Sequence, residues 1–104
     1  MRRFHVILQF PRPGADERTR IWKVALPAEA PVSTDVNLAA LAKLDLTGAG
    51  IVGTARTAAL LAADEGAGAI RMHHLVHAAR RQFQHEGRLL THHDLGKYAN
   101  LLPG

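Results

Sequence analysis

The sequence predicts a mainly α chain, a bundle of four helices preceded by one orphan β-strand, and three observations carry that expectation. Hydrophobic residues make up 47% of the 104 residues and aromatics only 5%, so the core is built from Ala, Leu, Val and Ile. Ala- and Leu-rich sequence favours helix. Apolar residues then recur at intervals of three or four through most of the chain, which is the helical period. A two-residue alternation is convincing only at Phe4-His5-Val6-Ile7-Leu8-Gln9-Phe10.

That strand places Phe4, Val6, Leu8 and Phe10 on one face, and Pro11-Arg12-Pro13-Gly14 ends it because proline cannot donate to a β-ladder. With no second strand to pair with, it is expected to belong to a sheet outside this sequence. The spacing predicts a first helix over Ala15 to Leu26, with Asp16 and Glu17 favourably placed in its first turn. Ile21, Trp22 and Ala25 face inward in this reading, with Arg18 and Lys23 toward solvent. Pro27 and Pro31 impose an extended connection. A short second helix follows, capped by Asn37 and presenting Leu38, Leu41 and Ala42 inward.

Thr47 is the expected N-cap of a third helix that runs to Glu65 and stops at Gly66 and Gly68. Its Ala55, Ala58, Ala59 and Ala62 permit close helix approach, while Ile51, Leu60 and Leu61 supply bulk. A fourth helix spans Met72 to Glu86, with Met72, Leu75, Val76, Ala79 and Phe83 as its apolar stripe and His73, Arg80 and Arg81 outside it. Leu89, Leu90, Leu95, Tyr98, Leu101 and Leu102 make the tail too apolar for disorder, so it is expected to dock. The domain reading is strand and hinge over 1–13, helical unit over 14–88 and docking tail over 89–104.

Composition excludes some function classes. There is no cysteine, so disulfides and thiolate metal sites are impossible, in keeping with a cytoplasmic expectation. No apolar run reaches the roughly 20 residues of a membrane span. The net charge of +4 would suit a basic helical nucleic-acid-binding module using Arg71, Arg80, Arg81 and Arg88, and a plain protein-interaction bundle is a further alternative.

Gly48-Ala49-Gly50-Ile51-Val52-Gly53 spells G-x-G-x-x-G, but a dinucleotide fold needs strands on both sides of the motif and its helix. Glycines cost about 0.8–1.0 kcal/mol each relative to Ala within a helix. Their presence points either to close packing or to a ligand against the helix start. His73 and His77 share a helix face and His92 and His93 precede Asp94, yet no set of three or four convergent ligands is spelled out. The histidines therefore read as solvated surface residues, with no metal site, and no catalytic triad or carboxylate pair is visible.

The order Arg2-Arg3-Phe4, apolar strand, Phe10-Pro11-Arg12-Pro13, then a helix with Arg18, Ile21 and Trp22 resembles AAA+ ATPases. The likeness continues through Asp35-Val36-Asn37-Leu38-Ala39-Ala40-Leu41-Ala42, Leu46-Thr47-Gly48-Ala49-Gly50-Ile51 and Ile70-Arg71-Met72-His73-His74-Leu75, covering about residues 2 to 88. It implies the last strand of the large domain plus hinge, followed by the four-helix lid with its sensor-2 helix. It also implies that Thr47, Gly48 and Ala49 contact the adenine and ribose of ATP. Arg3, with Arg2 adjoining, matches the trans-acting arginine that reaches the γ-phosphate of a neighbouring subunit. The first turn of the third helix carries no sensor-2 arginine, which resembles the AAA branch proper. Residues 87–98 also resemble the bacterial AAA ATPases associated with phage-tail-like particles.

The resemblance thus implies a lid that helps bind ATP and couples subunits in a hexameric, protein-remodelling ring. The partners would be its own large domain and the neighbouring subunits, not a membrane or nucleic acid. ATP and Mg²⁺ would be cofactors of the whole enzyme. With neither Walker A loop nor Walker B acidic pair, this chain is expected to be no enzyme by itself and to hold no cofactor alone.

Overall fold

A computed structural model describes residues 13–26 and 31–101, with no account of the His92 and His93 side chains. Four helices form the body: α1 (Ala15–Ala25), α2 (Leu38–Ala42), α3 (Gly48–Glu65) and α4 (Met72–His85). A single turn, α5 (His92–Leu95), and a 3-10 helix (Gly96–Leu101) follow. The expected strand, with Arg2 and Arg3 before it, lies outside the described residues. Among the described residues the β-structure is one isolated parallel bridge between Val32 and Ile70.

Local chemistry sets the helix ends. Asn37 accepts a hydrogen bond from Ala40 N, and Thr47 Oγ1 accepts one from Gly50 N at 3.0 Å. Each removes one unpaired donor from a helix start, a contribution of about 1 kcal/mol. Gly66 ends α3 in the left-handed conformation at φ 75°, which a side chain would disfavour. At the start of α1 the Glu17 carboxylate reaches back to Gly14 N.

Between these ends, the α4 stripe of Met72, Leu75, Val76, Ala79 and Phe83 is buried against Ile51, Ala55, Ala58 and Ala62 of α3. The small alanines let the two helices approach. Trp22 and Leu41, with Leu44 and Leu46 from the α2–α3 connection, complete the core. Trp22 is fully buried and its indole N–H has no acceptor among the described residues. Two loops are stitched together beside the bridge, Ser33 N donating to Ile70 O and Ile70 N to Pro31 O. Asp35 Oδ1 then accepts from Met72 N at the start of α4.

The tail docks. Leu90 and Leu95 are buried, Asn37 donates to the Tyr98 hydroxyl, and His77 Nε2 pairs with the Leu101 carbonyl. Thr91 and Asp94 cap α5 reciprocally.

Three expectations about individual side chains are corrected. Leu60 supplies no bulk to the core, for it is 70% exposed on the outer face of α3. Arg18 does not face solvent; its guanidinium donates to the carbonyls of Ala42 and Pro13. His74 is not a solvated histidine but is 2% exposed. No helix among the described residues is long and apolar enough to cross a membrane.

Candidate functional site

Thr47, Gly48 and Ala49 form the start of α3, and the connection leading to them is held from both sides. Leu44 and Leu46 are fully buried, so the backbone between them is pinned to the core. Arg88 Nη1 donates to the Asp45 carbonyl at 2.8 Å, and its other amino group lies 3.9 Å from the Asp45 carboxylate. Arg18 approaches that carboxylate from α1 at 4.0 Å. Both distances are long and Asp45 is 59% exposed, so the carbonyl hydrogen bond matters more here than the charge. Arg88 also lies 4.1 Å above the Phe83 ring and bonds Glu86, which engages it within the fold.

The three glycines have different reasons. Gly50 is buried, and an added Cβ would meet Glu86, Leu46 and Thr47 atoms at 3.4 Å. At Gly53 an added Cβ would stand 3.2 Å from Gln82 Oε1, the far end of a flexible side chain that a larger residue would have to push aside. At Gly48 the added atom would meet, among the described residues, only Ile21 Cδ1, at 3.9 Å, an ordinary van der Waals contact. Packing within the bundle therefore does not require glycine at position 48.

Gly48 also adjoins an apolar shelf. Val52 follows it by one helical turn, and Ile21, Val24 and Ala25 of α1 complete an open depression of about 480 Å³ with Arg20 at its edge. Val24 is 86% exposed and Val52 36%, so the shelf presents side chains that have no cover among the described residues. The amides of Gly48 and Ala49, in the first turn of α3, are left without intrahelical partners by helix geometry. A flat apolar ring could rest on this shelf with its polar edge at the helix start. Arg2 and Arg3, the remaining site residues expected from the sequence, lie outside the described residues.

A second cluster was not legible in the spacing of the histidines. Glu65, the last residue of α3, lies 3.1 Å from His74 Nε2 and 3.4 Å from His73 Nε2. The hydrogen bond from His74, assisted by that from His73 and by the attraction of both rings, holds the Glu65 carboxyl below its ordinary value against an opposing effect of burial. One ligand atom from each of the three residues falls within 4.8 Å of the others. The tautomer opposes a metal there. Arg71 N donates to His74 Nδ1 at 2.9 Å, so the imidazole proton sits on Nε2 and points to Glu65. A metal would need that Nε2 lone pair, and its binding would turn Nδ1 from acceptor to donor against the Arg71 N–H. The cluster is a clamp between the end of α3 and the start of α4. His77 shares a face with His73, their rings edge to face at 6.2 Å, and its Nε2 also pairs with the tail.

The G-x-G-x-x-G run starts α3 without a strand before it, since residues 43–47 are turn, bend and irregular structure. The dinucleotide-fold context is thus missing from both sides of the motif among the described residues. No protein-family model matches the chain, and no curated protein matches it either.

Proposed function

We propose that the chain is the helical lid of an AAA+ ATPase of the AAA branch, contributing to ATP binding without catalysing hydrolysis by itself. The observation that supports this most is Gly48. Among the described residues nothing demands glycine there, yet it borders an apolar shelf that they leave uncovered at the start of α3. An adenine resting on Ile21, Val24 and Val52 would gain apolar contact, with its ribose near Thr47 and Ala49. A bulky residue at position 48 would occupy that space.

The parent enzyme would bring the phosphate and Mg²⁺ ligands from its large domain, with Arg3 or Arg2 serving a neighbouring subunit's ATP. It would be a cytoplasmic ring, a hexamer in this reading, that remodels a protein substrate. Arg18 supports a mechanical role, because it ties the hinge carbonyl of Pro13 directly to the end of α2. Movement at the hinge would then be carried into the bundle rather than absorbed by a loose connection. ATP would bias the orientation of the lid only through contacts that differ between its states.

Adenosine and ATP, titrated separately into the chain and followed by amide chemical shifts, test the reading. Base contact alone on an open shelf yields at most a few kcal/mol, hence a dissociation constant on the order of millimolar. Saturable shifts at Ile21, Gly48, Ala49 and Val52, similar for both ligands, are expected. Shifts centred elsewhere, or none at about 10 mM ligand, overturn the assignment of the shelf.

A further inference from the structure

On the face of the α3–α4 pair, Gly53 and Thr57 of α3 and Arg81, Gln82 and His85 of α4 line a crevice of about 360 Å³. The crevice follows from the residue types. Gly53 offers no side chain to fill it, and Gln82 packs so closely that a Cβ on Gly53 would meet it at 3.2 Å. Arg56 and Leu60 lie on the same α3 face by helical spacing, three and seven residues beyond Gly53. Both are exposed, Leu60 at 70%.

Basic side chains predominate here, with the exposed Asp64 one turn beyond Leu60 on α3. The helix α4, from Met72 to His85, carries two arginines, four histidines and no carboxylate. Neither Arg81 nor Arg56 has an ion pair among the described residues, whereas Arg18 and Arg88 of the same chain both do. Glu86, beyond the end of α4, accepts from Gln82 at the crevice edge and pairs with Arg88, so its charge is shared with that arginine. The Glu65 carboxylate at the opposite end is held by His73 and His74.

We propose that this crevice docks an acidic segment of a partner protein, Arg81 and Arg56 taking its carboxylates and Leu60 an adjoining apolar side chain. Arginine forms a planar fork that matches a carboxylate, and an uncompensated pair on one face selects an anionic partner. Leu60 decides between classes of anion. An exposed leucine beside arginines suits a protein surface, in which apolar anchors alternate with charge. A nucleic-acid strand would instead use aromatic platforms for its bases, and Gly53, Arg56, Thr57, Leu60, Arg81, Gln82 and His85 include no Phe, Tyr or Trp. The crevice belongs to a different helix pair from the shelf beside Gly48, so this proposal does not depend on the nucleotide reading.

The test is fluorescence anisotropy of a short labelled peptide of repeating Glu-Glu-Leu, titrated with the 104-residue chain. Saturable binding is expected, weakened at least about tenfold by Arg81→Glu and measurably by Leu60→Asp. Lys23→Glu on exposed α1 makes the same charge change as Arg81→Glu and is expected to leave binding unchanged. Thermal unfolding of each variant shows that the fold is retained, as both arginine and lysine sites are exposed. Failure of the peptide to bind overturns the proposal, and so does equal weakening by Lys23→Glu, which would make the attraction non-specific. Stronger binding of a single-stranded oligonucleotide, lost in Arg81→Glu, would assign the crevice to nucleic acid. Self-association abolished by Arg81→Glu without peptide binding would assign it to a second copy of the chain; either result refutes an acidic protein partner.

Discussion

Replacing Gly48 by leucine separates packing from ligand contact, and the bundle supplies its own control at Gly50. Among the described residues a Cβ at position 48 meets one side-chain atom, Ile21 Cδ1, at 3.9 Å, so the new leucine side chain begins over the shelf and not in the core. Leucine is a better helix former than glycine by somewhat under 1 kcal/mol in a helix interior, and less at a first-turn position. The stability of the chain should therefore stay level or rise slightly. Gly50→Leu is different, because Gly50 is buried and its first added atom already meets Leu46, Thr47 and Glu86 atoms at 3.4 Å, with the rest of the side chain still to be placed. Overpacking of that kind costs about 1–3 kcal/mol. For a domain of this size, 1 kcal/mol corresponds to a Tm change of about 4–8 °C. Thermal unfolding by circular dichroism should thus leave Gly48→Leu within a few degrees of the parent chain or above it. Gly50→Leu should fall by roughly 4 °C or more. In parallel, the adenosine-induced shifts at Ile21 and Val52 should be lost in Gly48→Leu and persist, where the fold survives, in Gly50→Leu. A Tm drop in Gly48→Leu as large as that in Gly50→Leu, with adenosine shifts intact, would refute the reasoning.

Three further outcomes are expected. The Glu65 carboxyl is held below its ordinary value by His74 and His73, so its contribution is present above the unfolded-state value of about 4.5 and disappears as pH falls through the lower folded value. The Tm difference between the chain and Glu65→Gln should accordingly be steady from neutral pH down to about pH 5 and shrink in more acidic buffer; a difference that persists undiminished to about pH 2 would count against the clamp. Zinc at tens of micromolar should leave the Tm unchanged, because the Nε2 lone pair of His74 is occupied by its proton; a rise that His73→Ala removes would refute the tautomer argument. Arg88→Ala should lower stability by about 1–2 kcal/mol through loss of its hydrogen bond to Asp45 O and its stacking on Phe83. Arg88→Lys should restore only part of it, as lysine lacks the planar fork; full rescue would show that charge alone matters.

Local signals in the sequence determined the helices. The caps at Asn37, Thr47 and Gly66 act within a single turn, and the Met72-to-Phe83 stripe needs only the helical period, so both are legible without knowing the fold. Candidate contacts at Thr47, Gly48 and Ala49 came from a resemblance and from the oddity of glycines in a helix. Tertiary structure alone distinguished Gly48 from Gly50 and Gly53, because only the placement of α1 and α4 says which glycine has a neighbour pressed against it. It also decided the fate of the polar side chains. Arg18 bonds a carbonyl 24 residues away, Asp35 an amide 37 residues away and Arg88 a carbonyl 43 residues away. His74 shows the reason most clearly. Its position beside His73 gives no hint of burial, since the helical period allows either face at the edge of the stripe. The turn that brings Glu65 back against the start of α4 made one histidine a buried clamp and left the other at the surface. Leu60 escaped the core for the same reason: periodicity shows which residues share a face, but not which face of an alanine-rich helix its neighbours cover.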